Sequence, residues 1–153
     1  MGKRALLGDV IQIAIDKGFA YAQLTHRNRL CGCLLRVLPG VHGSPLKDLG
    51  KKTRVKELYH TFVFEEDLHE SPAVQIVGHE PIPKESRAFP LFRAGVKDPK
   101  TKQVKTWWLW DGAKEWPIGE LREDQKLLPL RQIWNYKILI NKINEGWRPA
   151  DEV

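Results

Sequence analysis

The sequence predicts an α+β fold: a strongly bent antiparallel sheet, or a partial barrel, of about six or seven short strands, with a C-terminal amphipathic helix. Three observations predict it, namely hairpin signals before residue 40, short apolar runs between turn residues after it, and one long amphipathic segment near the end. Because no linker-like segment divides the 153 residues, we expect residues 1–153 to form a single domain.

The first 40 residues predict three antiparallel strands. An apolar strand at residues 10–15 is followed by Asp16-Lys17-Gly18, whose glycine can adopt the positive φ of a tight turn. Residues 19–25 predict the second strand, residues 26–29 the next turn, and residues 30–38 the third strand. Strands joined by such short turns pair as an antiparallel meander.

The middle of the chain predicts a short helix and further strands. Ser44 is a candidate helix N-cap, Pro45 suits the first helical position, and Gly50 suits the position past the end, which limits this helix to one or two turns. Strands are predicted from about residue 61 and at 73–78. Residues 89–96 and 104–110 flank a polar loop at 98–102 and predict a hairpin, and residues 116–118 form a short extended piece.

The strongest helix prediction covers residues 129–145, and Gly146 marks its end. On a helix of 3.6 residues per turn the apolar positions form two stripes. The wider stripe is predicted to face the core and comprises Ile133, Tyr136, Leu139, Ile140 and Ile143. The second stripe requires another surface to cover it and comprises Leu130, Trp134 and Ile138. The predicted core comprises Val10, Ile13, Ile15, Leu24, Val74, Ile76, Trp108, Ile133, Ile140 and Ile143.

Charge is distributed unevenly along the chain, whose formal net charge is +6. Residues 1–60 carry 11 basic and 4 acidic side chains, whereas residues 61–90 carry 2 basic and 6 acidic ones. The acidic segment is formed by Glu65, Glu66, Asp67 and Glu70. Since blocks of like charge bear on partners rather than on fold, the basic N-terminal third and the acidic segment are both candidate contact surfaces.

Residues suited to catalysis or metal binding form no recognised pattern. Cys31 and Cys33 could offer two thiolates from one strand face, but a closed zinc site needs four ligands and there is no second cysteine pair. No serine lies in a Gly-x-Ser-x-Gly turn, and the acidic residues lack the spacing of a calcium loop. The sequence therefore predicts a protein that is not an enzyme and uses no metal or other cofactor.

Four of the six tryptophans lie close together near lysines, which allows two interpretations. Aromatic rings mixed with basic residues can stack single-stranded bases, whereas large rings also build cores. Trp107 and Trp108 point to opposite faces of a predicted strand, so at least one should be core. The residues concerned are Trp107, Trp108, Trp110 and Trp116, near Lys102, Lys105 and Lys114.

The compartment is predicted from the N-terminal residues and the cysteines. The first nine residues hold too few apolar side chains for a secretory leader, and no apolar run approaches the roughly 18 residues of a membrane span. Both cysteines are expected to remain reduced. We therefore expect a cytoplasmic protein that does not act at a membrane.

The order of short motifs resembles the immunity protein 26 family of bacterial polymorphic toxin systems, whose members also begin with a Gly-Asp strand and a Tyr-Ala/Gly-Gln strand. The resemblance covers roughly residues 8–147. The motifs that carry it are Gly8-Asp9 before residues 10–15, Lys17-Gly18, Phe19-Ala20-Tyr21-Ala22-Gln23-Leu24, Val74-Gln75-Ile76-Val77-Gly78-His79 with Pro81 after it, Pro90-Leu91-Phe92, and a final helix rich in Ile and Leu.

This resemblance implies a binding protein that neutralises a cognate toxin domain without catalysis and protects the cell that makes it. An acidic surface could occupy the basic cleft of a nuclease toxin, because charge complementarity speeds capture. We therefore expect the partner to contact Glu65, Glu66, Asp67 and Glu70. Trp134, on the second stripe of the predicted helix, is the other expected contact, since exposed rigid aromatics dominate interface energetics.

The alternative function is a basic nucleic-acid-binding module built on a small bent sheet. The basic N-terminal third would then contact phosphates, and its affinity would fall steeply with salt as counterions are released. The predicted phosphate contacts are Arg27, Arg29, Arg36, Lys51, Lys52 and Arg54.

Overall fold

The structure, a computed structural model, describes residues 4–152 and is α+β, as predicted. Within those residues nine strands form two sheets, and the main helix lies near the C-terminus. The sheets are bent but do not close into a barrel, and the strands outnumber the predicted six or seven. The strands are β1 (Asp9–Ile15), β2 (Gly18–Asn28), β3 (Gly32–Val37), β4 (Tyr59–Val63), β5 (Val74–His79), β6 (Phe92–Ala94), β7 (Trp107–Trp110), β8 (Glu115–Gly119) and β9 (Ile133–Trp134).

Helices are short in this fold. The α-helices are α1 (Leu49–Thr53) and α2 (Tyr136–Glu145), and single 3₁₀ turns occupy Glu65–Leu68, Lys84–Ser86, Asp124–Leu127 and Pro149–Asp151. None of the helices found in residues 4–152 has the length and apolar composition that crossing a bilayer would take.

The large sheet has the strand order β5-β1-β2-β3-β4-β9. Strands β1, β2 and β3 form the predicted antiparallel meander. In this sheet only the β4–β9 pair is parallel. The turn predicted at residues 26–29 is wrong, since β2 continues to Asn28 through a bulge between Leu24 and His26. The chain reverses after it, where the Asn28 side-chain oxygen accepts hydrogen bonds from the backbone N–H groups of Leu30 and Cys31.

The predicted turn at Asp16-Lys17-Gly18 is confirmed and depends on its glycine. Gly18 has a φ of 134°, and a Cβ there would collide with the carbonyl oxygen of His42. The two chains approach closely because Phe19 and His42 exchange backbone hydrogen bonds of 2.8 and 2.9 Å. A side chain at position 18 would force this pairing apart.

The short helix in the middle of the chain begins later than predicted. Asp48, rather than Ser44, caps α1 by accepting a hydrogen bond from the backbone N–H of Lys51. Gly50 lies inside this helix and not past its end. The reason is tertiary, because the Tyr21 hydroxyl accepts a hydrogen bond from the Leu46 N–H and holds the preceding residues in a bend.

The C-terminal helix is shorter than the predicted 129–145. Asn135 caps α2 by accepting from the Ile138 N–H, and Gly146 ends it with a φ of 69°, as predicted. The preceding residues belong to the sheets: residues 133–134 pair with β4 as β9, and Arg93 in β6 exchanges backbone hydrogen bonds with Pro129 and Arg131. These pairings replace the first two turns of the predicted helix.

The main core lies between the large sheet and α2. Of the predicted core residues, Val10, Ile13, Leu24 and Val74 are buried. Ile15, Ile76, Ile140 and Ile143 are partly buried against the main cluster, and Ile133 against a second one. The prediction that Trp108 belongs to the core is wrong, since 37% of this residue is exposed. It lies in the central strand of the small sheet, directly after a bulge between Trp107 and Trp108.

A second, aromatic cluster joins the two sheets. Phe62 of β4 stacks on Phe92 of β6 with 5.2 Å between ring centroids, and Trp110 of β7 lies 5.4 Å from Phe92. Phe89 packs its ring edge on Trp110 at 5.5 Å. This cluster fixes one face of the small sheet on the large one.

Candidate binding surfaces

The acidic segment is largely occupied by contacts within the protein. Glu65 begins the 3₁₀ turn after β4 and accepts hydrogen bonds at Oε1 from the Ala5 N–H (2.9 Å) and from Arg27 Nη2 (3.0 Å). Its Oε2 accepts from the thiol of Cys33 at 2.9 Å. Glu65 therefore ties the N-terminal segment, β2 and β3 together instead of presenting a free charge.

The pKa values around Glu65 reflect this network. Burial acts to raise the pKa of Glu65, but the hydrogen bonds from Cys33 and Ala5 and the charge of Arg27 outweigh it, so the pKa is lowered. Burial, together with the Glu65 hydrogen bond and charge, raises the pKa of Cys33 to about 12. The thiol of Cys33 therefore remains protonated and unreactive at neutral pH.

Two of the four predicted acidic contacts are left for a partner. Asp67 is only 8% exposed in the 3₁₀ turn, whereas Glu66 and Glu70 are exposed. Of the four residues expected to contact a partner, only Glu66 and Glu70 are therefore exposed, because Glu65 and Asp67 in the 3₁₀ turn face the protein.

Trp134 lies in the core, which contradicts its predicted position on an exposed helix stripe. It is 3% exposed and packs edge-on against Trp147 (5.0 Å between centroids) and Tyr59 (6.1 Å). The stripe does not exist because residues 133–134 form β9 rather than a helical turn. Trp134 is therefore inaccessible to a partner.

The basic N-terminal third is also partly engaged. Arg36 is buried and donates to Gln23 Oε1 (2.9 Å) and to the backbone carbonyls of Val55 and Thr53, so it cannot contact phosphate. Arg27 pairs with Glu65, and Lys52 donates to the Pro39 carbonyl. Of the six predicted phosphate contacts, the exposed ones are Arg29, Lys51 and Arg54.

The small sheet carries two exposed tryptophans on opposite faces. Trp108 lies across from Pro117, and Trp116 lies across from Leu109. Because directly opposed residues share a face and neighbours along a strand alternate, Trp108 and Trp116 cannot form one continuous aromatic platform. Both are similarly exposed, at 37% and 39%.

Trp108 lines a cleft of about 450 Å³ together with Lys105, Glu115 and Arg131; we call this the Trp108 cleft. Arg131 Nη1 pairs with Glu115 Oε2 at 2.7 Å, and its guanidinium lies 5.3 Å from the centroid of the Trp110 ring. These contacts hold Arg131 in a fixed position beside the exposed ring. Sequence reasoning missed Arg131, because no local pattern connects it with Glu115.

A second cavity, of about 320 Å³, adjoins this cleft and shares Ala94, Gly95 and Arg131 with it. We call it the Arg93 cavity, since Arg93 of β6 lines it. Arg93 is fully buried, and its guanidinium lies 4.8 Å from the centroid of the Trp107 ring. It donates to the backbone carbonyls of Leu128, Lys126 and Pro149 through Nε and Nη2. Burial lowers the pKa of Arg93, and the charge of Glu152 opposes that shift.

One arrangement of serine, carboxylate and histidine was not foreseen from the sequence. Ser86 Oγ donates to Glu57 Oε1 at 3.0 Å, and His60 Nε2 lies 3.4 Å from the same oxygen. The carboxylate stands between the other two, whereas activation of a serine requires the histidine next to the hydroxyl. This group therefore serves as a structural hydrogen-bond network.

Among residues 4–152, the two cysteines belong to no cluster of metal-ligating side chains. Cys31 is half-buried and Cys33 is buried, and both are free thiols. Over the part of the chain that the structure describes, no three His, Cys, Asp or Glu side chains converge as metal ligands would.

Comparisons with protein-family models, with curated proteins and with solved structures give no match to this chain.

Proposed function

We propose that this protein binds a toxin domain and neutralises it without catalysis, protecting the cell that makes both. The resemblance of its strand motifs to the immunity protein 26 family supports this class of function. An inhibitor of this kind needs only to cover the working site of its partner, so its essential feature is a surface fit for tight binding.

The observation that carries the proposal is the Trp108 cleft. Trp108 is exposed next to Arg131, which Glu115 and Trp110 hold in place. Tryptophan and arginine are the residues most enriched among those that dominate interface energies, particularly where they are rigid. We therefore place the toxin contact at the Trp108 cleft, where this face of the small sheet is left uncovered by the large sheet.

Charge indicates the kind of partner surface. Lys105 and Arg131 line the Trp108 cleft with the single acid Glu115, and the protein as a whole carries +6. A toxin with an acidic contact surface would be attracted to this face, and added salt would slow its association. Glu66 and Glu70 remain exposed elsewhere and form a second, weaker candidate contact.

The experiment compares two tryptophan variants. The toxin is identified as the product of an adjacent gene whose toxicity is relieved by co-expression of this protein, and its affinity is then measured. Trp108→Ala should weaken binding by about 30-fold and abolish protection, because a central tryptophan contributes roughly 2 kcal/mol or more. Trp116→Ala is the matched control, since it removes an equally exposed ring from the opposite face.

Two results would contradict the proposal. Equal affinities for wild type and Trp108→Ala would remove this face from the interface. If no adjacent gene product is toxic or captured, toxin neutralisation itself would be wrong. Charge reversal at Glu66 and Glu70 tests the weaker contact, and an unchanged association rate would exclude it.

Nucleic-acid binding is the second candidate function, and the same cleft favours it. Trp108 with Lys105 could stack a base and contact its phosphate. The opposite orientation of Trp116 leaves a single exposed ring on that face, which weakens this candidate. Tight binding of a single-stranded oligonucleotide, with affinity falling steeply as salt is added, would favour it over toxin binding.

A further inference from the structure

We propose that the Arg93 cavity receives a carboxylate from an acidic side chain of the partner protein. The inference rests on the proposed function and specifies the chemistry of its contact. It starts from an unusual feature of Arg93: Nη1 is buried and finds no hydrogen-bond acceptor among residues 4–152. Since nearly all buried polar groups are hydrogen-bonded, such an atom requires an explanation.

The other N–H groups of Arg93 donate hydrogen bonds to uncharged acceptors only. Nε and Nη2 donate to three backbone carbonyls, so the guanidinium is held firmly but its charge has no carboxylate within salt-bridge distance among the residues described. Buried charges in proteins are normally paired. A carboxylate entering the cavity would supply the acceptor that Nη1 lacks and would add a second negative charge to that of Glu152.

The lining of the cavity suits an acidic side chain. Lys97 and Arg131 add positive charge, and Val104, Trp107 and Leu130 add apolar surface against which the methylene groups of a glutamate can pack. A volume of about 320 Å³ is at the lower end of the range for small-ligand sites, which fits one side chain rather than a large cofactor.

The charge of Glu152 favours a carboxylate over a phosphate. Glu152 also lines the cavity and already contributes one negative charge, so a doubly charged phosphate would meet stronger repulsion than a singly charged carboxylate. Glu152 is held in place by Lys142 Nζ (3.4 Å) and Trp147 Nε1 (3.2 Å). The preference for a carboxylate therefore follows from the charge of Glu152, which these two contacts hold in place.

The position of the cavity links it to the proposed contact surface. It shares Ala94, Gly95 and Arg131 with the Trp108 cleft. A partner seated on Trp108 would thus place its neighbouring residues at the mouth of the Arg93 cavity. One acidic side chain could then enter while the rest of the interface forms on the small sheet.

The test uses the full chain and a hexaglutamate peptide as the probe, with hexaglutamine as its neutral counterpart. Binding is followed by NMR from the guanidinium signal of Arg93 and the indole signal of Trp107, which is assigned with a Trp107→Phe variant. We expect both signals to shift and saturate with hexaglutamate and to remain unchanged with hexaglutamine.

Charge variants distinguish a site from general attraction without altering Arg93 itself. Lys97→Gln should weaken hexaglutamate binding by about two- to fivefold, and Glu152→Gln should strengthen it by a similar factor. Lys100→Gln is the matched control, since Lys100 makes the same charge change on the same loop outside the cavity lining. Its affinity should equal that of the wild type.

Several outcomes would overturn the inference. Equal weakening by Lys97→Gln and Lys100→Gln would indicate non-specific attraction. Unshifted Arg93 and Trp107 signals through a millimolar titration would show that no carboxylate enters. Preferential binding of inorganic phosphate or an oligonucleotide would assign the cavity to phosphate instead.

The inference and the proposed function can fail separately. If a toxin is captured and Lys97→Gln and Glu152→Gln leave its affinity unchanged, the carboxylate contact is wrong and the function stands. If hexaglutamate binds as expected but no adjacent gene product is captured, the cavity is correct and the toxin assignment is wrong.

Discussion

The thiol of Cys33 donates a hydrogen bond to the carboxylate of Glu65, with 2.9 Å between Sγ and Oε2. This contact joins β3 to the 3₁₀ turn after β4 and converts an acidic residue that the sequence places on the surface into part of a structural network. Arg27 and the N–H of Ala5 complete it. This contact should affect two measurable properties of the protein, namely its stability and the reactivity of its thiols.

Removal of the Glu65 carboxylate should destabilise the protein. Glu65→Ala leaves the Cys33 thiol and the Ala5 N–H without their acceptor and Arg27 with only the Ala5 carbonyl, which should lower the free energy of unfolding by about 1–3 kcal/mol. Glu66→Ala removes a neighbouring exposed carboxylate and should change it by less than about 0.5 kcal/mol. Denaturant unfolding of both variants measures the difference. Equal effects would mean that Glu65 contributes no more than an ordinary surface charge.

The two cysteines should differ in reactivity. Burial raises the pKa of both thiols, but Cys33 is fully buried and also faces the Glu65 charge, whereas Cys31 is half-buried. A chromogenic thiol reagent at pH 8 should therefore modify Cys31 in the folded protein and Cys33 only after unfolding. Cys31→Ser should remove the reaction of the folded protein. Modification of both thiols at the same rate would contradict the burial of Cys33.

His60 should make the protein less stable as the pH falls through the weakly acidic range. Burial, with the positive charges of His26 and Arg36, lowers its pKa from 6.5 to about 4, while Glu57 opposes the shift. Above pH 6.5 the imidazole is neutral in both states. Between pH 6.5 and 4 the unfolded chain binds a proton that the folded one does not, so about 3 kcal/mol of stability is lost across this window.

The measurement for His60 is the unfolding free energy as a function of pH. His60→Gln should flatten the decline between pH 6.5 and 4. His69→Gln, which replaces an exposed histidine, should leave the decline in place. An unchanged slope in His60→Gln would show that another group causes the acid sensitivity.

The face of α2 that packs on the sheet is defined by Leu139. Leu139 is fully buried, Ile140 only partly, and Ile138 is exposed. Leu139→Ala should therefore cost about 2–5 kcal/mol of unfolding free energy, because it leaves a cavity in the main core. Ile138→Ala is the control on the same helix and should cost less than 1 kcal/mol. The reverse order would show that the helix is rotated on the sheet.

Local features of the fold were predictable, and features set by distant residues were not. The turn at Gly18 and the stop at Gly146 depend on a glycine's own φ, so a single residue identifies them. The segment 129–134 has an equally helical pattern, but it pairs with β6 and β4 instead. Strand pairing with distant residues overrides helix propensity there, and this pairing cannot be predicted from a single sequence.

The same distinction explains the candidate sites. The hydrogen-bond partners of Glu65 lie 60, 38 and 32 residues away in the sequence. The acidic segment alone therefore could not show that this carboxylate binds groups within the protein. The tryptophan and lysine cluster was visible in the sequence, but the exposed ring could be identified only from the bulge in β7. Arg131 and Arg93 gained their roles from strand neighbours that no spacing rule connects.

The parallel pairing of β9 with β4 also sets the order in which the nascent chain can fold on the ribosome. Strands β1 to β5 pair among themselves within residues 9–79, so most of the large sheet can assemble early in synthesis. Its β4 edge and the apolar face under Leu139 stay uncovered until β9 and α2 emerge. Throughout that interval the unfinished sheet exposes a free strand edge and an apolar surface, to which other chains can bind and aggregate.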